Sequence, residues 1–276
     1  MVQKAKLSRF HTDKLPMKFS ILILLFILSS CGNVAEESSQ STKQTSAHLR
    51  VFYGSMTKMK VGVFYEPGAE PYTSDFIFGK KAWDVLEDNM SSLYDQRPQV
   101  VSYEIPKSLG EMNQMVAQNR ATWDSASLRS LASSLGFGNS SGANGEFTLL
   151  FVKGTFQGNN NIIGVSITGT TTIAIFKDVV KAITSGETQD TKTYTEQFTI
   201  VHEMGHALGL VNNGVDIRSD HHDAAHGAHC SNSDCVMNWV NEGGKEILDF
   251  AARFILSGRN TAFGSQCLDD VKHYNP

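Results

Sequence analysis

The stretch TEQFTIVHEMGHALGL, residues 195–210, carries two histidines four positions apart with an acid beside the first. Phe198, Ile200, Val201, Ala207, Leu208 and Leu210 are apolar, the content of a helix that is buried. On such a helix His202 and His206 stand one turn apart on the same face. Two neutral imidazoles so placed reach a single Zn2+ at about 2.0–2.1 Å. Glu203, adjacent to the first histidine, reaches the open side of the ion rather than the ion itself, where it can hold a water and take its proton. Gly209, three residues after His206, is a place for the helix to end and the chain to turn back.

The string from His202 to Leu210 resembles the opening of the metzincin signature, H-E-x-x-H-x-x-G-x-x-H/D. The third ligand of that family stands three residues after the glycine, and here that position is Asn212, a poor zinc ligand. Downstream, His229-Cys230-Ser231-Asn232-Ser233-Asp234-Cys235-Val236-Met237 resembles the archaemetzincin continuation, H-C-x4-C-x-M. The resemblance covers residues 200–237 tightly. It implies that His229 completes the site of His202 and His206, that Glu203 is the general base, and that Met237 forms the Met-turn beneath the metal. It also implies 17 extra residues ahead of the third ligand, through Asn212-Asn213-Gly214 and His221-His222-Asp223. These are polar and turn-prone, as in a surface loop. His226, Asp216, His221, His222 and Asn212 are the other candidates for the third position. Otherwise His221, His222 and His226 are expected to be solvated, with an accessory metal between His222 and His226 as the alternative.

Archaemetzincins join their two motif cysteines to a later C-x-x-C around a structural zinc. The tail here has only Cys267, so four thiolates are not available. An exported chain favours a disulfide, with Cys230–Cys235 the expected pair and Cys267 left over or joined to one of them. A Cys3His zinc site is the alternative. The activity implied is that of a zinc metalloendopeptidase with one catalytic Zn2+, a zinc-bound water activated by Glu203, and a peptide or protein substrate. In metzincins an exposed edge strand pairs with extended substrate, and residues 172–176 are the candidate. Two rivals use the same residues differently: a non-catalytic zinc-binding surface lipoprotein with a closed fourth position, and a zinc-handling lipoprotein exploiting the histidine-rich loop. A gluzincin-type site with Glu242 or Glu246 as third ligand is a further possibility, which Gly209 and Met237 oppose.

The N-terminus points to export. Lys14 and Lys18 precede the apolar run 19–28, and Leu28-Ser29-Ser30-Cys31 follows. A basic start, a short apolar core and small residues describe a secretory signal peptide, with Met17 as a possible start. The run is shorter than the roughly 20 apolar residues of a membrane-spanning helix. Leu-Ser-Ser-Cys resembles a bacterial lipobox, which implies lipidation of Cys31 and anchoring to a membrane, with the outer membrane or cell surface as destination. Residues 31–48 are rich in Ser, Thr, Gln and Glu and read as a flexible tether; a soluble domain spans 49–276. Residues 1–30 carry five basic side chains and one acid, which leaves 19 basic and 27 acidic residues, a net of −8, in the remainder. No nucleic-acid partner is expected from that balance.

Elsewhere, 58–65 alternates as a first strand, and Phe76, Ala82, Trp83, Leu86, Met90 and Leu93 fall at helical spacing across 76–94. Residues 100–105 and 147–152 read as strands, and 162–167 with 172–176 as a hairpin across Gly169. Asp124-Ser125 caps a helix that stops at Gly136. Further helices are expected at about 195–210 and 242–256. This order predicts an α+β fold: a zincin-like domain whose twisted, mostly parallel sheet has backing helices, then an active-site helix and an irregular C-terminal subdomain ending in a helix.

Overall fold

Lys58–Tyr65 forms strand β1 in the computed structural model, which describes residues 47–76, 79–259 and 261–276. The expected signal segment, Cys31 and most of the expected tether lie outside the described residues. Leu49 is buried.

Strand β1 pairs in parallel with β2 (Ser102–Glu104) and, further along, with β3 (Asn113–Gln114). On its other side lies β5 (Asn144–Val152), also parallel. Then comes β8 (Thr172–Phe176), parallel to β5, and last β7 (Gly164–Ser166), antiparallel to β8. A small parallel pair, β4 (Thr122–Trp123) with β6 (Thr155–Phe156), stands apart. Val61–Phe64 and Phe147–Val152 are continuously buried, as expected of strands covered on both faces rather than on one. The fold is α+β with a mostly parallel mixed sheet.

After a helical stretch over residues 47–55, the helices are α1 (Asp84–Tyr94), α2 (Ser125–Ser134), α3 (Lys177–Ile183), α4 (Gln189–Ala207), α5 (Glu246–Ser257) and α6 (Ser265–His273). Helix α2 follows its sequence signal: the Asp124 carboxylate accepts from the Ser127 amide, and Gly136 ends it at a φ of 66°. Helix α1 starts at Asp84 rather than at Phe76, because Gly79 takes a left-handed φ of 81°. Phe76 is still buried, stacked on Tyr194 of α4 with ring centroids 4.2 Å apart. The strand expected at 100–105 is confined to Ser102–Glu104, and Val100 is 86% exposed. Helix α4 begins at Gln189, before the expected Thr195, because the Thr188 hydroxyl caps it by accepting from the Thr191 amide. The last expected helix starts at Glu246 rather than at about 242, after a short 3-10 turn over Trp239–Glu242 and the pair Gly243-Gly244.

Helix α4 lies across β7 and β8 and is flanked by α1 and α5. Its middle is tied to the sheet by a fully buried ion pair between Glu196 and Lys177, the first residue of α3. The second Glu196 oxygen accepts from the Tyr72 amide at 2.6 Å, and the Lys177 ammonium sits 3.2 Å from the centroid of the Tyr72 ring. Burial without these partners would cost several kcal/mol per ion. Among the described residues no helix is long and apolar enough to cross a membrane.

Candidate metal centre

His202, Glu203 and His206 occupy the last turns of α4; the first two are buried and His206 is half-buried. The chain leaves the helix through Gly209, at a φ of 78°, and the Val215 amide returns to donate to the Gly209 carbonyl at 2.8 Å. The residues that follow run in an irregular loop and come back to the helix at His229. The three imidazoles then surround one point, with ring centroids 4.7 Å (202–206), 5.3 Å (202–229) and 4.9 Å (206–229) apart.

The tautomers follow from the second nitrogens. His202 Nδ1 lies 2.7 Å from the Val236 carbonyl oxygen and His229 Nδ1 lies 2.5 Å from that of His226. A carbonyl only accepts, so both Nδ1 atoms carry the proton and both Nε2 atoms present lone pairs. His206 Nε2 faces His202 Nε2 at 3.0 Å. Two nitrogens about 2.05 Å from one tetrahedral ion stand roughly 3.3 Å apart, so the spacing suits a shared cation. His229 Nε2 is buried with no hydrogen-bond partner. Glu242 Oε1 is 2.9 Å from it without the geometry of a hydrogen bond. The four ligand atoms, from His202, His206, His229 and Glu242, all lie within 4.8 Å of one another. An orphaned buried nitrogen among converging lone pairs fits a divalent metal of the zinc class.

Electrostatics agree. Burial first, and then the charge of His229, lower His202 to about 4, and burial holds His206 well below the usual histidine range. Both are therefore neutral at pH 7, the form that binds a metal. For His229 burial acts in the same sense, but the nearby Glu242 carboxylate outweighs it and the net shift is upward. Glu203 is 4% exposed, and burial, reinforced by the like charge of Glu242, pushes it up to about 8, against a hydrogen bond from the Ser166 backbone. A divalent cation beside it would favour its ionised form.

Met237 lies against the helix between the two histidines. A Cβ at Gly205 would come within 2.3 Å of Met237 Sδ, so the absence of a side chain there admits the thioether. Gly164 of β7 is as close on the other side, where a Cβ would meet Thr199 and Glu203. The sheet edge thus passes directly beside Glu203. Strand β8, expected to be that edge, is instead wholly buried between β5 and β7. Residues 163, 165 and 167 turn their backbone groups to β8, as the Phe176 amide to the Ile163 carbonyl and the Ile167 amide to the Thr172 carbonyl show. Gly164 and Ser166 therefore turn theirs outward.

Asn212 is exposed in a left-handed turn, at a φ of 60°. Asp216 is exposed as well, and Glu246 lies outside the cluster. Glu242 joins His229 there rather than replacing it. His222 and His226 do not share a site: His222 Nε2 bonds the Gly227 carbonyl, while His226 bonds Asp223 and stacks on Trp239 at 3.9 Å.

His221 departs most from expectation. It is 1% exposed rather than solvated, held between Cys230 Sγ at 3.3 Å from Nδ1 and Asp270 Oδ2 at 2.7 Å from Nε2. Cys230, Cys235 and Cys267 are buried free thiols, and the expected Cys230–Cys235 disulfide is not formed. Instead α6 brings Cys267 to within 3.6 Å of Cys235, and His221, Cys230 and Cys267 present ligand atoms within 4.8 Å of one another. The Asp270 hydrogen bond, aided by Cys230, raises His221 to about 9. Hydrogen bonds from Cys235, Cys267 and His221 pull the Cys230 thiol strongly down. Of the donors that the Cys3His alternative needs, His221, Cys230 and Cys267 stand together, while Cys235 lies outside that cluster. Spacing along the chain gave no sign of Asp270, which is 49 residues away from its partner.

The chain matches no protein-family model and no curated protein. Among solved structures it is similar to a zinc-dependent peptidase from Methanocorpusculum labreanum, at 13% identity and a TM-score of 0.43, over 76% of this chain and 99% of that one. That likeness is distant, and the case for chemistry at the centre rests on its own residues.

Proposed function

We propose that the chain is a zinc-dependent metalloendopeptidase of the metzincin type, exported and held at a bacterial membrane by acyl chains on Cys31. The observation that carries the catalytic part is the convergence of three imidazole Nε2 atoms, one of them buried without a partner, beside a buried carboxylate. His202, His206 and His229 are the ligands of the ion. When bound, zinc supplies Lewis acidity, polarising a scissile carbonyl and making a water easier to deprotonate. Glu203 takes that proton on its carboxylate and later returns it to the leaving amine. Burial raises its basicity, and a cation beside it would favour the ionised form that accepts the proton. Val236 and His226 hold two of the rings in the tautomer required, and Met237 supports them from below. The outward backbone groups of Gly164 and the outward carbonyl of Ser166 are suited to pair with an extended peptide, which brings a bond alongside Glu203.

The test is Glu203→Gln, measured for both metal content and peptide hydrolysis. Zinc should stay bound at one equivalent in the three-histidine centre while hydrolysis falls by at least about 10²–10⁴-fold, the usual worth of a general base. Full activity in this variant sinks the mechanism. The non-catalytic alternative is favoured by one observation, the Glu242 carboxylate standing where a fourth ligand would be.

A further inference from the structure

We propose that Glu242 is a resident fourth ligand, carried on a strap that closes the metal centre at rest and is withdrawn when a peptide pairs with the edge of β7. This rests on the assignment of His202, His206 and His229 as ligands of a peptidase zinc.

Three features carry it. The first is aim. Glu242 Oε1 is 2.9 Å from His229 Nε2 without hydrogen-bonding it, and it falls inside the same 4.8 Å cluster as the other two imidazoles. A carboxylate oxygen that completes three histidine nitrogens makes a closed four-ligand set, whereas a hydrolytic site keeps one position open.

The second is the mounting. Glu242 ends the 3-10 turn Trp239–Glu242, which starts two residues after the Met-turn residue Met237 and is capped by the Asn238 side chain on the Val240 amide. Trp239 rests on His226 at one end of the strap, and Gly243-Gly244 form the other. Gly244 takes a left-handed φ of 75°, and a Cβ on Gly243 would stand 2.7 Å from the Asn161 carbonyl oxygen. The strap is thus pressed onto the chain entering β7, where Gly243 bridges Ile162 in antiparallel fashion. Residues 162, 164 and 166 share one edge by the two-residue period of a strand. A peptide laid along Gly164 and Ser166 and extended towards 162 meets Gly243 on the same line of backbone groups. Substrate pairing and the seated strap therefore exclude one another, and lifting Gly243 takes the neighbouring Glu242 with it.

The third is the cost of leaving. The Glu242 side chain is 48% exposed, so it can swing into water without stranding a buried charge, unlike Glu203. Its departure also removes a like charge from beside Glu203.

The experiment uses the full chain with Co2+ in the three-histidine centre, comparing wild type with Glu242→Ala and Glu242→Gln. Glu246→Gln, an exposed acid four residues on, is the control. Thiocyanate binding, followed by visible absorption, reports whether the fourth position is free. Both Glu242 variants should bind the anion at least about tenfold more tightly than wild type, hold the metal about 10–100-fold more weakly, and hydrolyse a short peptide faster at saturating metal. Equal anion affinity in wild type and variants overturns the proposal and leaves the three-histidine centre standing. An opened position with no gain in hydrolysis also overturns it, since the ligand would then be permanent. If wild type and Glu242→Gln both fail to take up cobalt at the histidines, the centre itself is wrong and the strap falls with it.

Discussion

Replacing His229 by alanine asks whether a ligand delivered across a long loop has taken the place left by Asn212. The imidazole is nearly buried, its Nδ1 is anchored to the His226 carbonyl, and its Nε2 has no other partner, so its truncation removes one donor and leaves the other two in place. A four-ligand zinc centre is worth about 10–16 kcal/mol, so one ligand contributes about 3–4 kcal/mol, or ~10²–10³ in Kd. With His202, His206 and Glu242 still in place, the expected loss is at least about a hundredfold. The assay is competition for zinc against a chromophoric chelator at fixed pH, with metal content measured after dialysis. Thermal unfolding gives a second readout, because zinc at 100 times its Kd adds about 2.7 kcal/mol to the folded state, and the variant should forfeit nearly all of it at that concentration. Asn212→Ala serves as the control and should hold zinc within about threefold of wild type, as befits an exposed residue. Affinity retained by His229→Ala, or an equal loss in Asn212→Ala, refutes the ligand assignment.

Two predictions concern the frame around the centre. Glu196→Gln leaves the Lys177 ammonium buried without its counter-charge and should lower stability by about 3–5 kcal/mol in urea titrations. Replacing both residues by methionine should recover most of that, and a pair of single variants each within 1 kcal/mol of wild type would contradict the argument. Gly205→Ala gains up to about 1 kcal/mol in helix propensity but drives a Cβ into Met237 Sδ, an overpacking that costs about 1–3 kcal/mol. The net should be a loss of stability, accompanied by weaker zinc binding; a more stable variant with unchanged affinity would show that Met237 has room to move.

Local signals in the chain were readable to the extent that their physics is local. The i, i+4 spacing of His202 and His206, the Asp124 cap with Gly136 as its stop, and the turn at Gly169 each depend on residues within a few positions, and the folded chain has those elements. Long-range pairing was not readable. Which of β7 and β8 forms the edge depends on β5 claiming the inner place, and both strands have similar sequence patterns. His221 looked like a loop residue because its partners, Cys230 and Asp270, lie 9 and 49 positions away. Cys267 looked unpaired because nothing in its spacing says that α6 returns to the loop. Helices α3 and α6, at seven and nine residues, are too short for periodicity to register.

The buried pair of Glu196 and Lys177 also acts as an index pin for the helix it holds. Glu196 sits six residues before His202 on α4, and its two oxygens are claimed from different directions by Lys177 and the Tyr72 amide. A helix packed only by apolar contacts can roll about its axis at small cost, whereas one engaged by two directional contacts cannot. With side-chain tips roughly 5–6 Å from the axis, a roll of only about 10° sweeps an imidazole nitrogen through ~1 Å, enough to spoil coordination or attack geometry. The azimuth of the two histidines is thus set nearly two turns away, by residues outside the histidine cluster.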